Sequence, residues 1–351
     1  MTSRIRDLRA IKPKPINLSE TNLVRTSLPF EGRRLPLVVE PVIGGVDLAS
    51  WAKSNKDFID SKLSDHGALL FRRFDIATVA EFHNFITGTS GSPLDYVERS
   101  SPRSQVADQI YTSTDHPADQ PIFLHNENSY KHTWPQRIFF FSSVVADQGG
   151  ETPIADIREV FASVPAEIKE KFIRLKVLYI RNLTEEIGMP WQTAFQTTDR
   201  SVVDAYCERA EIKTTWISEK HLSLAQVRPA VYRHPSTTEP VWFNHATFFH
   251  ISTLDPSVRS MLLRELSEES LPANSFYGDG SAIEPDVLDT LRAAYLKQKI
   301  VFPWQKNDLL MLDNMLAAHG REPYSGNRKV LVAMAQPVHF TEPGVAFNLP
   351  E

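Results

Sequence analysis

His125 and Glu127 stand two residues apart in the stretch PIFLHNENSYKHTWP, residues 121–135, behind the apolar lead-in Pro121–Leu124. Residues i and i+2 of an extended chain share a face. One imidazole nitrogen and one carboxylate oxygen would then project together as adjacent metal ligands. A second histidine from elsewhere would complete two histidines and a carboxylate on one face, with the other coordination positions open to a co-substrate and O2, as in non-haem Fe(II) oxygenases. With 11 histidines and 43 acidic residues in 351, about one such pair arises by chance. Context raises it: the apolar lead-in reads as a buried strand entering a site.

His319 is the best third ligand, read as sitting in a short loop between two buried strands in DLLMLDNMLAAHGREPYSGNRKVLVAM. His245 and His250 in WFNHATFFHIS are rivals, but five residues apart on a strand they would face opposite ways; one core polar group and one neighbour of the site is the alternative. His66, His83 and His116 precede the pair, and His221 lies in a polar stretch read as helical.

Arg328 opens the apolar run KVLVAM. A buried guanidinium needs a partner, and a bidentate carboxylate supplies one; a structural ion pair is the alternative. In GGETPIADIR a turn at Gly149–Gly150 precedes Thr152, whose hydroxyl can share that carboxylate, while Asp156 and Arg158 read as a local ion pair. Arg321, beside His319, can hold a substrate carboxylate or pair structurally. Tyr130, Trp134, Trp242 and Phe243 can line a pocket or fill the core.

These residues need elements to carry them. LPLVVEPV (35–42), ALLFRRF (68–74), RIFFFSSVVAD (137–147), KVLYIRNL (176–183), PAVYRHP (229–235), PVWFNH (240–245), KIVFPW (299–304), DLLMLDN (308–314) and RKVLVAMAQPV (328–338) read as short strands bounded by turn residues. Helical spacing marks 47–67, closed by Gly67, and 76–88, and helices are expected over 164–175, 199–210, 255–269 and 284–298. The pattern predicts a mainly β, α+β protein: a sandwich or barrel core with helices packed outside. A flexible arm over 1–15 would precede a single domain over 16–345.

Hydrophobic residues at 42% and charged residues at 23% fit a globular chain, and a net charge of -5 argues against nucleic-acid binding. The lone Cys207, placed in a helix, excludes a disulfide framework within the chain and suits a cytoplasmic home. No apolar run approaches the ~18 residues that span a bilayer, and no secretion signal is evident.

Taken in order, HNE, GGETPIAD, HPSTTEPVWFN, WQKNDLLMLDN and HGREPYSGNRKVLVAM resemble the Fe(II)/2-oxoglutarate-dependent dioxygenases of the TauD/TfdA, clavaminate synthase-like family over residues 15–340, and within it the syringomycin-type amino-acid hydroxylases of nonribosomal peptide pathways. The resemblance implies a double-stranded β-helix, or jelly roll. It implies that His125, Glu127 and His319 bind Fe(II), that Arg328, helped by Thr152 and followed by Lys329, binds the far carboxylate of 2-oxoglutarate, and that O2 is the other co-substrate. Glu127 stands where taurine-type members carry Asp, and Val332 where they carry a second arginine for a sulfonate, so a sulfonate substrate is not expected. Halogenating relatives have a small residue at the carboxylate position; Glu127 fills it.

The substrate implied is an amino acid, free or on a peptidyl carrier protein, hydroxylated at its β-carbon in the biosynthesis of a specialised metabolite or antibiotic. Desaturation or cyclisation would use the same oxidant. A zinc-type hydrolase on the same three ligands, which would have no use for Thr152 and Arg328, and a non-catalytic β-barrel binding protein are the rival classes.

Overall fold

Several strands are apolar without alternation, and the sheet they form explains why. In the computed structural model, which describes residues 23–347 except 101–102, 108, 114–115 and 342–344, eight strands pair in the order Val24–Ser27, Leu37–Pro41, Ala68–Phe71, Leu309–Asp313, Thr133–Val144, Lys329–His339, Ile110–Thr112 and Gln105–Ala107. Leu37–Pro41 runs parallel to Ala68–Phe71; the other pairs are antiparallel. Adjacent rows across the sheet point to opposite sides. Met311, Phe139 and Ala333 share one row, and Leu310, Phe140 and Val332 the next. The first row packs under the helices Leu48–Ser54, Lys56–His66 and Val79–Ser90. The second lies in the interior of the roll, with Ile154 and Ala317 of a smaller sheet opposite. A strand covered on both faces has no polar face to show, hence FFF and LLML.

The smaller sheet orders Ile122–His125, Ala317–Arg321 and Ile154–Asp156. Its far side is closed by a third apolar cluster, to which Ile157 and Val160, Ile168 and Phe172, and Leu288 and Leu291 contribute from the helices Ile157–Ser163, Ala166–Leu175 and Pro285–Gln298. Two facing sheets with helices outside are the jelly-roll core expected. A further four-stranded sheet, Lys213–Trp216, Leu222–Arg228, Val177–Leu183 and Ala273–Tyr277, flanks it.

Local signals place the helix ends. Gly67, at φ 76°, caps Lys56–His66 in the left-handed conformation. Thr78 and Glu81 form a reciprocal capping box at Val79–Ser90. The segment expected as one helix over 47–67 breaks at Asn55, whose side chain donates to the Trp51 carbonyl.

Other expectations are corrected. KIVFPW forms no strand, only a bridge between Ile300 and Ile154. His221 precedes the strand Leu222–Arg228 and is not helical. The strand at PVWFNH stops at Trp242, and Ala246–Phe249 is a short helix, so strand geometry does not apply to His245 and His250. The helix expected at 164–175 starts after Pro165, behind a separate helix. Cys207 is buried in the helix Arg200–Arg209, as expected. The expected arm over 1–15 lies outside the described residues. No helix among those described is long and apolar enough to cross a membrane.

Candidate metal centre

The antiparallel register sets His319 directly opposite His125, so the expected third ligand is part of a strand, Ala317–Arg321, not of a loop. The two rings lie 4.5 Å apart between centroids. The close pairing depends on Gly320: a Cβ there would meet the Ile122 carbonyl at 2.5 Å.

Glu127 reaches the same point for a different reason from the alternation expected. The strand ends at His125 and Glu127 lies in the turn beyond it. Asn314 holds that turn. Its Oδ1 accepts from the Glu127 N–H at 2.8 Å, and its Nδ2 donates to the carbonyls of Glu127 and Pro135, both at 2.8 Å. Asn126 in turn donates to the Asn314 carbonyl at 2.6 Å.

Ligand atoms of His125, Glu127 and His319 lie within 4.8 Å of one another. His125 Nδ1 bonds the Phe123 carbonyl at 2.9 Å. A carbonyl only accepts, so Nδ1 carries the proton and Nε2 keeps its lone pair, the tautomer a metal needs. His319 has its Nδ1 buried without a partner among the described residues, while Nε2 lies 3.9 Å from Glu127 Oε2. Phe248 stacks on His125 at 4.3 Å, and Phe140 lies 5.0 Å from the His319 ring. Burial lowers the pKa of both histidines, and the neutral ring is the ligand form. Burial alone would raise the Glu127 carboxyl. The Arg103 guanidinium, charged and bonded to it, is the largest opposing influence, and the carboxyl comes down to about 2. An N, N, O donor set with Glu127 and His319 buried, His125 half-buried and one imidazole nitrogen unpaired fits a divalent iron ion.

Thr152 and Arg328 line the same cavity of about 1040 Å³ as the three ligands. Thr152 is buried and its Oγ1 accepts from Trp304 Nε1 at 3.2 Å. Arg328 donates from Nε to the Gly150 carbonyl at 2.8 Å and from Nη1 to Ser113 Oγ at 3.2 Å. Burial, with Arg321 adding to it, lowers Arg328 to about 10, so the site favours an incoming anion. Lys329 is exposed and is not among the residues lining the cavity.

Arg321 also lines the cavity, but its guanidinium holds the carbonyls of His116, Pro117 and Gln120. Asp156 and Arg158 form the expected local pair, with two contacts at 2.9 Å. Tyr130, Trp134, Trp242 and Phe243 fill the core, and the cavity aromatics are Phe123, Phe140 and Phe248. His245 lies 5.9 Å from His125 and bonds Ser129 Oγ through Nδ1 at 2.5 Å. His250 accepts from the Ser252 N–H that opens a short 3-10 turn.

Arg103 escaped the reading of the sequence. Its Nη2 donates to Glu127 Oε2 at 2.7 Å. Its surroundings, ERSSPRSQ, show only a polar loop; nothing in periodicity or spacing tied it to a ligand 24 positions later.

Residues 31–334 match the model of the family described as taurine catabolism dioxygenase TauD, TfdA family. The dapdiamide synthesis protein DdaC of Enterobacter agglomerans is 41% identical over 281 residues, 80% of this chain and 85% of that protein. A clavaminate synthase-like protein of Arabidopsis thaliana is 25% identical over 342 residues, 91% of this chain and all of that one. Among solved structures, PvcB, described as an Fe, alpha-ketoglutarate dependent oxygenase from an isonitrile synthetic pathway, aligns over 89% of this chain and 91% of its own, at 17% identity and a TM-score of 0.52. That last likeness is one of fold.

Proposed function

This chain belongs to the TauD/TfdA family of dioxygenases, and from that premise we propose that it hydroxylates an unactivated C–H, at the β-carbon, of an amino acid or a carrier-bound aminoacyl group in specialised-metabolite biosynthesis. The family's chemistry uses Fe(II), 2-oxoglutarate and O2. The observation that carries the reading is a single cavity bordered by the two-histidine, one-carboxylate cluster and by the Thr152–Arg328 pair.

His125, Glu127 and His319 would hold the iron. When bound, it supplies the coupling of 2-oxoglutarate oxidation, to succinate and CO2, with O2 activation and substrate oxidation. Arg328, bonded to the Ser113 hydroxyl and sharing the cavity wall with Thr152, would take the far carboxylate of 2-oxoglutarate. Asn314 fixes Glu127, the Phe123 carbonyl fixes the His125 tautomer, and Phe248 and Phe140 keep water from the two imidazoles. Glu127 fills the position a halide would need, which favours hydroxylation over halogenation. DdaC, named for dapdiamide synthesis, supports the specialised-metabolite setting. Desaturation or cyclisation would draw on the same residues.

The test is anaerobic. Adding Fe(II) and 2-oxoglutarate to the apoprotein should give the visible charge-transfer band of the chelate. Glu127→Ala should lose the band by losing iron. Arg328→Ala should keep iron and need at least about tenfold more 2-oxoglutarate, the scale of one charge-assisted contact. Bound iron with no band in the wild type would move the hydrolase reading first.

A further inference from the structure

We propose that Arg103 is the receptor for a carboxylate of the substrate, so that the substrate is an acid with a free carboxylate a few bonds from the carbon oxidised. This rests on the dioxygenase reading of the cluster. The Arg103 side chain is 6% exposed and lines the cavity. One of its nitrogens, Nη2, bonds Glu127 Oε2 at 2.7 Å. The other two, Nε and Nη1, are buried and have no acceptor among the described residues.

Buried donors without an acceptor are costly, and those of a charged guanidinium more so. The other cavity arginines differ. Arg321 gives Nη1 and Nη2 to three carbonyls and keeps only Nε without an acceptor among the described residues, and Arg328 is held by Gly150 and Ser113 at the co-substrate end. Arg103 is left with two charged donors, Nε and Nη1, beside a metal ligand, and a carboxylate oxygen is the acceptor that suits such a donor.

The loop carrying Arg103 is built to hold it there. Tyr130 donates to the Glu98 carbonyl at 2.9 Å, Lys131 to the Val97 carbonyl at 2.6 Å, and Arg181 to the Arg99 carbonyl at 2.5 Å. The guanidinium lies 4.7 Å over the Tyr96 ring. A group so anchored serves recognition rather than flexible screening. Its contact with Glu127 sets the anion close to the reacting position. An aminoacyl thioester of a neutral amino acid has no carboxylate to offer, so either the α-carboxylate of a free amino acid or an acidic side chain must meet Arg103.

Both sources can be tested on the Fe(II)–2-oxoglutarate protein under anaerobic conditions. The twenty amino acids, each beside its α-carboxamide, and aspartate beside asparagine would be titrated while the visible band is followed, with calorimetry on the metal-free protein in parallel. We expect at least one acid to shift the band and to bind about tenfold or more tightly than its amide. An α-amide penalty identifies a free α-carboxylate, and a side-chain amide penalty an acidic side chain. Arg103→Lys, which keeps a cation beside Glu127, should retain iron and bind 2-oxoglutarate within about threefold of wild type while losing most of the acid preference; Arg103→Gln should lose all of it. An acid preference absent from the wild type, or intact in Arg103→Gln, would overturn the assignment. So would a loss of 2-oxoglutarate affinity in Arg103→Lys as large as that in Arg328→Ala. Absence of the chelate band itself would instead sink the dioxygenase reading, and calorimetry would still report on Arg103.

Discussion

Arg328 and Lys329 are adjacent cations with opposite situations. Arg328 is turned into the cavity by the Gly150 carbonyl and Ser113, and Lys329 is exposed. Arg328→Gln should weaken 2-oxoglutarate binding by about tenfold or more, and Lys329→Gln by less than about twofold, read from anaerobic titration of the chelate band. Lys131 makes a different prediction. It is buried, and burial is the main cause that lowers its pKa from 10.5 to about 8. The unfolded chain therefore binds one more proton than the folded one between about pH 8 and 10.5. Stability from this group rises with pH across that window by about 1.4 kcal/mol per unit, and the penalty is full below it. Lys131→Met removes the term, so the difference in melting temperature between wild type and variant should move in favour of the wild type as pH rises from 7.5 to 10. A difference constant over that range would contradict the assignment.

At the scale of elements, two glycines separate the two ends of the site. Gly320 lets the His319 strand approach the His125 strand, where a Cβ would sit 2.5 Å from the Ile122 carbonyl. Gly150, at φ 74°, carries the carbonyl that Arg328 grips, and a Cβ there would meet Arg328 Cδ at 2.8 Å. Gly320→Ala should lower iron affinity at least about tenfold, and Gly150→Ala should spare iron while weakening 2-oxoglutarate, each with about 1–3 kcal/mol of lost stability. Iron binding and chelate titration on the same preparations separate them. These elements also show what a sequence carries. The long apolar strands and the stop at Gly67 were legible, because burial on two faces and a glycine cap are local, while the break at Asn55 and the Thr78–Glu81 cap were not read. The grouping of His125, Glu127 and His319 was legible too, yet the reason offered for Glu127 differs from the one found: an asparagine 187 positions away, not strand alternation, holds its turn. KIVFPW has strand composition, but Ile300 makes only a bridge to Ile154. Arg103 was illegible because only the folded loop over Tyr96 brings it to Glu127.

For the whole molecule, the roll divides stability from chemistry. The cluster between the large sheet and the helices Leu48–Ser54, Lys56–His66 and Val79–Ser90 contains no residue that lines the cavity. The interior cluster does: Phe140 packs near His319 and borders the cavity. Phe85 is fully buried in the outer cluster, with Phe71 at 5.1 Å and Phe139 at 6.1 Å between ring centroids. Phe139 and Phe140 are neighbours on opposite faces of one strand, so the sheet stands between the two regions. Removing the Phe85 ring leaves a cavity on the helix side and should cost about 3–5 kcal/mol, while a well-paired central strand keeps its place. Phe85→Ala should therefore unfold at clearly lower denaturant concentration, yet its folded fraction should bind Fe(II) and 2-oxoglutarate within about twofold of wild type. Phe140→Ala should lose stability as well and also weaken the chelate, since it uncovers His319 to water. Parallel losses in both variants would mean that the sheet transmits packing defects to the metal site and that the two cores are energetically one.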